Sequence, residues 1–134
     1  MNAIQEFLAA TTFAVAGASR DRSKYGNQVF RSLLASGRTV YPLNPHAKEI
    51  EGTAAYPFLE NLPQVAHSLS IVTPPHITRE IVRQAVKAGV TSVWMQPGAE
   101  DELASQEARS AGLKVIDDGS CILVSLSIER SKNR

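Results

Sequence analysis

Along this chain of 134 residues, short apolar, β-branched runs alternate with longer stretches whose apolar positions recur every three or four residues. The short runs are Thr12 to Gly17, Arg38 to Pro42, Ser68 to Thr73, Thr91 to Met95 and Leu113 to Asp117. Apolar on both faces, they read as strands of a parallel sheet covered on both sides. The longer stretches carry Val29, Phe30, Leu33 and Leu34; then Ile77, Ile81, Val82, Ala85 and Val86; then Leu103, Ala104, Ala108 and Ala111. Each set lies on one face of a helix. At three joins a helix-like segment ends at glycine, Gly37, Gly89 or Gly112, and a strand begins within a few residues. Glycine takes the left-handed conformation that closes a helix, so these are α-to-β joins.

Between Asn44 and Ser68 the pattern weakens: Pro45, Gly52, Pro57 and Pro63 leave room for a very short strand near Thr53 to Tyr56 and a turn of helix. The second crossover helix is therefore reduced. Right-handed crossovers still place the first and fourth strands side by side, opening a crevice at the strands' carboxyl ends where a ligand belongs. The expected fold is α/β and Rossmann-like: a doubly wound, mostly parallel sheet with helices on both faces, one domain over residues 1–129, and a short solvated tail at 130–134.

Composition narrows the function classes. Fourteen Lys plus Arg against thirteen Asp plus Glu give a net charge of +1, without the basic footprint that duplex nucleic acid demands. No apolar run approaches the ~18 residues of a membrane span. Cys121 has no cysteine to pair with, and the N-terminus lacks the regions of a secretory signal, so a reducing cytoplasm is expected. His46, His67 and His76 have no metal-ligand spacing, and no metal site is expected.

Candidate chemistry gathers where strands end. The first strand runs into Gly17-Ala18-Ser19-Arg20-Asp21-Arg22-Ser23-Lys24-Tyr25-Gly26-Asn27, a loop of backbone donors, hydroxyls and cations leading into a helix N-terminus. Phosphate binding is the functional reading, with Ser19, Ser23, Arg20, Arg22 or Lys24 adding hydrogen bonds; a plain surface turn is the alternative. The dinucleotide fingerprint is missing, because the positions two and five beyond Gly17 are Ser19 and Arg22. The second strand ends in Asn44-Pro45-His46-Ala47-Lys48 where a NAD site would place an acid, and this terminus suits a phosphorylated ribose, as in coenzyme A or NADP.

In order, Val15-Ala16-Gly17-Ala18-Ser19, Lys24-Tyr25-Gly26-Asn27, Val40-Tyr41-Pro42-Leu43-Asn44-Pro45, Val72-Thr73-Pro74-Pro75 and Val93-Trp94-Met95-Gln96-Pro97-Gly98 resemble the small CoA-binding domain family. That family looks like the N-terminal CoA-binding domain of the succinyl-CoA synthetase alpha subunit, standing alone. The resemblance implies coenzyme A, or an acyl-CoA, lying across the strand ends. It places contacts at Gly17, Ala18, Ser19, Arg20, Lys24, Tyr25 and Gly26, at Asn44, Pro45 and Lys48, at Thr73, Pro74 and Pro75, and at Gln96, Pro97 and Gly98. Thr73-Pro74-Pro75 also serves simply to end a strand and start a helix, and Gln96 reads an adenine or pantetheine amide or caps the helix near Glu100.

No catalytic constellation is visible. The phosphohistidine domain of the synthetase has no counterpart here, a nucleophile elbow is absent, and Asp117 and Asp118 are adjacent and face opposite ways in a strand. Cys121 reads as a small buried hydrophobe or as a reactive thiol. The leading expectation is a CoA-binding module without its own chemistry, acting as a sensor, carrier or partner subunit. Two alternatives stand beside it: an NADP-binding oxidoreductase fragment, and an interaction domain with a vestigial crevice, where Phe58, Trp94 or a helix face would meet a partner. Self-association or a partner protein is left open.

Overall fold

The structure is a computed structural model, and it describes residues 1–133. The chain runs through α1 (Ala3–Leu8), β1 (Thr12–Ala16), α2 (Tyr25–Ala35), β2 (Thr39–Leu43), β3 (Glu49–Ile50), β4 (Thr53–Ala54) and a 3-10 turn at Leu59–Asn61. It continues through β5 (Ser68–Ile71), α3 (Pro75–Lys87), β6 (Ser92–Met95), α4 (Glu102–Ser110), β7 (Lys114–Ile116) and α5 (Ile122–Lys132). Five strands form one sheet in the order β2-β1-β5-β6-β7, every neighbouring pair parallel. β1 beside β5 is the expected pairing of the first and fourth strands, once the short stretch near Thr53 is counted as third.

Side chains alternate across the sheet, so each strand feeds two cores. Ala14 and Ala16 of β1 join Leu69, Ile71, Val93 and Met95 beneath α3 and α4, while Phe13, Val15 and Trp94 pack with Phe7, Phe30, Leu33, Ile122 and Leu126 on the opposite face. The Phe7 ring meets Trp94 and Phe13 edge-on, with centroids 5.2 and 5.8 Å apart. Fully burying each such side chain contributes about 2 to 3 kcal/mol. Trp94, considered above as a partner contact, is thus a core residue, and its indole N–H donates to the Ser120 carbonyl at 3.0 Å.

The three helix-closing glycines take the expected left-handed conformation, at φ 85, 80 and 86 for Gly37, Gly89 and Gly112. Other expectations need correction. Ile77, Val86 and Leu103, assigned to apolar helix faces, are exposed, because α3 and α4 each meet the sheet along a narrower stripe centred on Val82 and Ala85 or Ala104 and Ala108. The very short strand near Thr53 and the turn of helix are present as β4 and the 3-10 turn. β4 pairs antiparallel with β3, which was not foreseen, and this hairpin stands apart from the main sheet, which the chain touches just beyond β4 through one parallel bridge, Tyr56 to Leu43. Two helices were not foreseen. α1 is only six residues long, held by reciprocal hydrogen bonds between Asn2 and Gln5; α5 carries apolar residues all round and lacks a clean stripe. α5 also runs through Lys132, so residues 130–132 of the expected tail are helical, though exposed. Arg134 lies outside the described residues.

Candidate functional site

The helices following β1, β5, β6 and β7 all begin at one edge of the sheet, so their positive dipole ends share one rim. The β1–α2 loop is built by close approach. Gly17 leaves β1 at φ 86, and a Cβ there would stand 2.1 Å from the Val72 carbonyl oxygen. A Cβ on Gly26, in the first turn of α2, would stand 2.0 Å from the Gly17 carbonyl oxygen. Only glycine at both positions lets the helix start directly against the end of β1.

Two asparagines hold the loop from beneath. Asn44 Nδ2 donates to the Ala18 carbonyl at 2.9 Å, and Asn27 Nδ2 donates to the Ser19 carbonyl at 2.8 Å. The backbone N–H groups of Ser19 and Arg20, and those of Tyr25, Gly26 and Asn27, have no acceptor among the described residues. Farther along, Ser19 Oγ accepts from the Asp21 N–H at 3.0 Å, while the Ser23 N–H and hydroxyl both donate to Asp21 Oδ1. The hydroxyl and N–H of Ser23 hold the Asp21 carboxyl below its ordinary value. Arg20, Arg22 and Lys24 are exposed.

Sequence reasoning missed one acid. Glu51, at the tip of the β3–β4 hairpin, lies 3.4 Å from Arg22 Nε and accepts from Asn27 Nδ2 at 3.2 Å. Glu51 and Gly52 take φ of 51 and 75, the left-handed pair of a two-residue hairpin turn. The signal was the Glu51-Gly52 dipeptide between Ile50 and Thr53, a turn signature placed within reach of the loop.

The other site residues divide into two groups. Pro45, Lys48, Pro74, Pro75, Pro97 and Gly98 lie exposed along the rim. Thr73 is half-buried, its hydroxyl 2.8 Å from that of Thr78, which donates to the Ala99 carbonyl and so leaves Thr73 as the donor between them. Gln96 is fully buried: its Oε1 accepts from the Ile122 N–H at 2.9 Å and from Tyr25 at 3.2 Å, and its Nε2 donates to Ser70 at 3.1 Å. It caps α5, while the helix after Glu100 is capped by Asp101. Tyr25 Oη also stands 2.7 Å from Cys121 Sγ, so the loop, the end of β6 and the start of α5 meet in one cluster. Burial, reinforced by that thiol, pushes the Tyr25 phenol up, keeping it a donor at neutral pH.

Two cavities of about 680 and 690 Å³ flank α3, one lined by Phe58, Leu62 and Val65, the other by Val86 and Leu103, and neither includes any of the site residues above. Among the described residues no group of three His, Cys, Asp or Glu side chains is placed to hold a metal, and no helix is long and apolar enough to cross a membrane.

Comparison with known proteins bears on the chain as a whole. A family model described as a CoA binding domain matches residues 11–127. The alpha subunit of acetate–CoA ligase (ADP-forming) II from Pyrococcus furiosus is 33% identical over 81 residues, which are 60% of this chain and 18% of that subunit. A conserved hypothetical protein of Pyrococcus furiosus has a solved structure with TM-score 0.81 and 36% identity, covering 87% of this chain and 99% of that one. The dinucleotide-forming acetyl-coenzyme A synthetase 1 of Ca. Korarchaeum cryptofilum, solved with phosphate and ADP, gives a TM-score of 0.76 and 30% identity over 89% of this chain and 28% of its own.

Proposed function

The chain belongs to the CoA-binding domain family, and from that premise we propose that it binds coenzyme A or an acyl-CoA along the C-terminal ends of its parallel strands, as a module without chemistry of its own. The observation that carries this reading is the β1–α2 loop. Its glycines bring a helix start and a bend of free backbone N–H groups into one small space, an arrangement suited to phosphate oxygens. Arg20 and Lys24 border that space and supply charge for the pyrophosphate. Lys48, exposed beyond the end of β2, is the group we assign to the 3′-phosphate. The pantetheine arm follows Thr73 to Pro75 and the exposed Pro97 and Gly98, while Tyr25 forms the floor, held from beneath by the buried Gln96. Its partners are then the small molecule and whichever protein uses the bound form.

Thermal unfolding with CoA, dephospho-CoA, NADP and NAD at matched concentrations tests the reading. At ~100 times its dissociation constant a ligand adds about 2.7 kcal/mol, or roughly 10 °C at this chain length. The expected order is CoA, then dephospho-CoA, with NAD inactive. A shift with NADP that exceeds that with CoA would favour an oxidoreductase fragment; no shift with any of the four would leave an interaction domain as the better account.

A further inference from the structure

Asn27 and Asn44 use their side chains on the loop, and their bonding leaves little for a ligand. Asn27 is fully buried, and both its Nδ2 hydrogens are taken, by the Ser19 carbonyl and Glu51, while its Oδ1 accepts from Arg31 Nε at 2.6 Å. Asn44 gives one hydrogen to the Ala18 carbonyl, and its Oδ1 accepts from the N–H groups of His46 and Ala47 at 2.8 and 3.1 Å. In a trans peptide the C=O of one residue and the N–H of the next point in opposite directions, and this chain has no cis peptide bond among the described residues. Fixing the Ala18 carbonyl on Asn44 therefore turns the Ser19 N–H away from the Asn44 amide, and fixing the Ser19 carbonyl on Asn27 turns the Arg20 N–H away from the Asn27 amide. Both are among the loop N–H groups without an acceptor among the described residues.

We propose that Asn27 and Asn44 are positioning residues: each anchors one loop carbonyl and thereby presents one backbone N–H, Arg20 and Ser19 respectively, to a phosphate group of the ligand. The identity of that ligand rests on the CoA reading above; the division of labour between the asparagines does not. It predicts a one-to-one correspondence, in which losing Asn44 frees the Ala18–Ser19 peptide and losing Asn27 frees the Ser19–Arg20 peptide. A general weakening of the loop would affect both amides alike.

The test is an NMR titration of the ¹⁵N-labelled chain with inorganic pyrophosphate, followed by calorimetry with CoA. In the unaltered protein the Ser19 and Arg20 amides are expected to move most. Asn44→Ala should abolish the Ser19 response, leave most of the Arg20 response, and weaken CoA binding at least tenfold, which corresponds to about 1.4 kcal/mol; Asn27→Ala should do the reverse. Asn44 is half-buried, so its variant keeps the test alive if the fully buried Asn27 does not tolerate alanine. If both amide responses survive Asn44→Ala, or both vanish together in a folded variant, the proposal is overturned. CoA binding without any response at Ser19 and Arg20 would overturn it while sparing the CoA reading. A pyrophosphate response that follows the predicted correspondence without CoA binding would do the opposite.

Discussion

The two sides of the rim use similar material in opposite ways. At the β1–α2 side, asparagine amides take loop carbonyls and leave backbone N–H groups free. At the β6–α5 side, the Gln96 amide takes up a helix-start N–H, a tyrosine and a serine, and leaves nothing free on its acceptor. Both are short polar motifs following a strand, and both looked like ligand contacts. The difference is burial: a side chain with no solvent access must satisfy its own polar atoms within the fold, whereas an exposed backbone bend can leave its donors for an incoming anion.

The largest effect should come from the close approach that makes the first side possible. Alanine usually improves a helix over glycine by roughly 0.5 to 1 kcal/mol, yet Gly26→Ala would drive its Cβ into backbone, and a loss of about 3 kcal/mol or more is expected in denaturant unfolding, together with loss of CoA binding. A neutral Gly26→Ala would break the contrast at its base. Next comes Gln96→Leu, which strands the Ile122 N–H, Ser70 and Tyr25: stability should fall by about 2 to 3 kcal/mol while CoA affinity, measured calorimetrically where the chain is folded, changes less than threefold. A large affinity loss at unchanged stability would move Gln96 to the ligand-facing side.

A smaller effect outside both regions serves as a control. Arg38 forms a bidentate pair with Glu129 and donates to the Leu8 carbonyl. Glu129→Gln should cost about 1 kcal/mol at neutral pH without altering ligand affinity. The hydrogen bond from Arg38 holds the Glu129 carboxyl below its ordinary 4.5. A carboxyl with a lowered folded value contributes its stabilisation fully above the unfolded value and loses it as pH falls through the folded one. The pH-stability curves of the two proteins should therefore differ above about 4.5 and converge in acid. Smallest is Glu51→Gln, which removes a carboxylate from beside Arg22: CoA affinity should rise about two- to fivefold at low salt, and the gain should shrink at high salt. A loss of affinity would instead make Glu51 a ligand contact.

The parallel sheet and the neighbour of its first strand were legible because Thr12 to Gly17, Ser68 to Thr73 and Thr91 to Met95 are short, largely apolar runs that alternate with stretches of helical period. Roles within the rim were not legible to the same degree. Nothing local to Gln96 shows that Ile122, 26 residues away, needs an acceptor, and nothing local to Asn44 shows that it holds Ala18. Such pairings exist only after the chain has closed. α5 escaped for a different reason: Ile122, Leu123, Val124, Leu126 and Ile128 supply too many apolar positions for any one period to stand out.

Pro42, in the middle of β2, carries a consequence of another kind. β2 is an outer strand, and the Pro42 carbonyl points away from β1 to accept the Tyr56 N–H at 3.0 Å, while the Asn44 N–H meets the Tyr56 carbonyl on the same side. The missing proline N–H therefore falls on the outer row, and the rest of that end is covered by Tyr56. At the far margin β7 offers only three residues. Both margins of the five-stranded sheet are thus poor templates for recruiting a further strand, which guards that sheet against fibril-like growth.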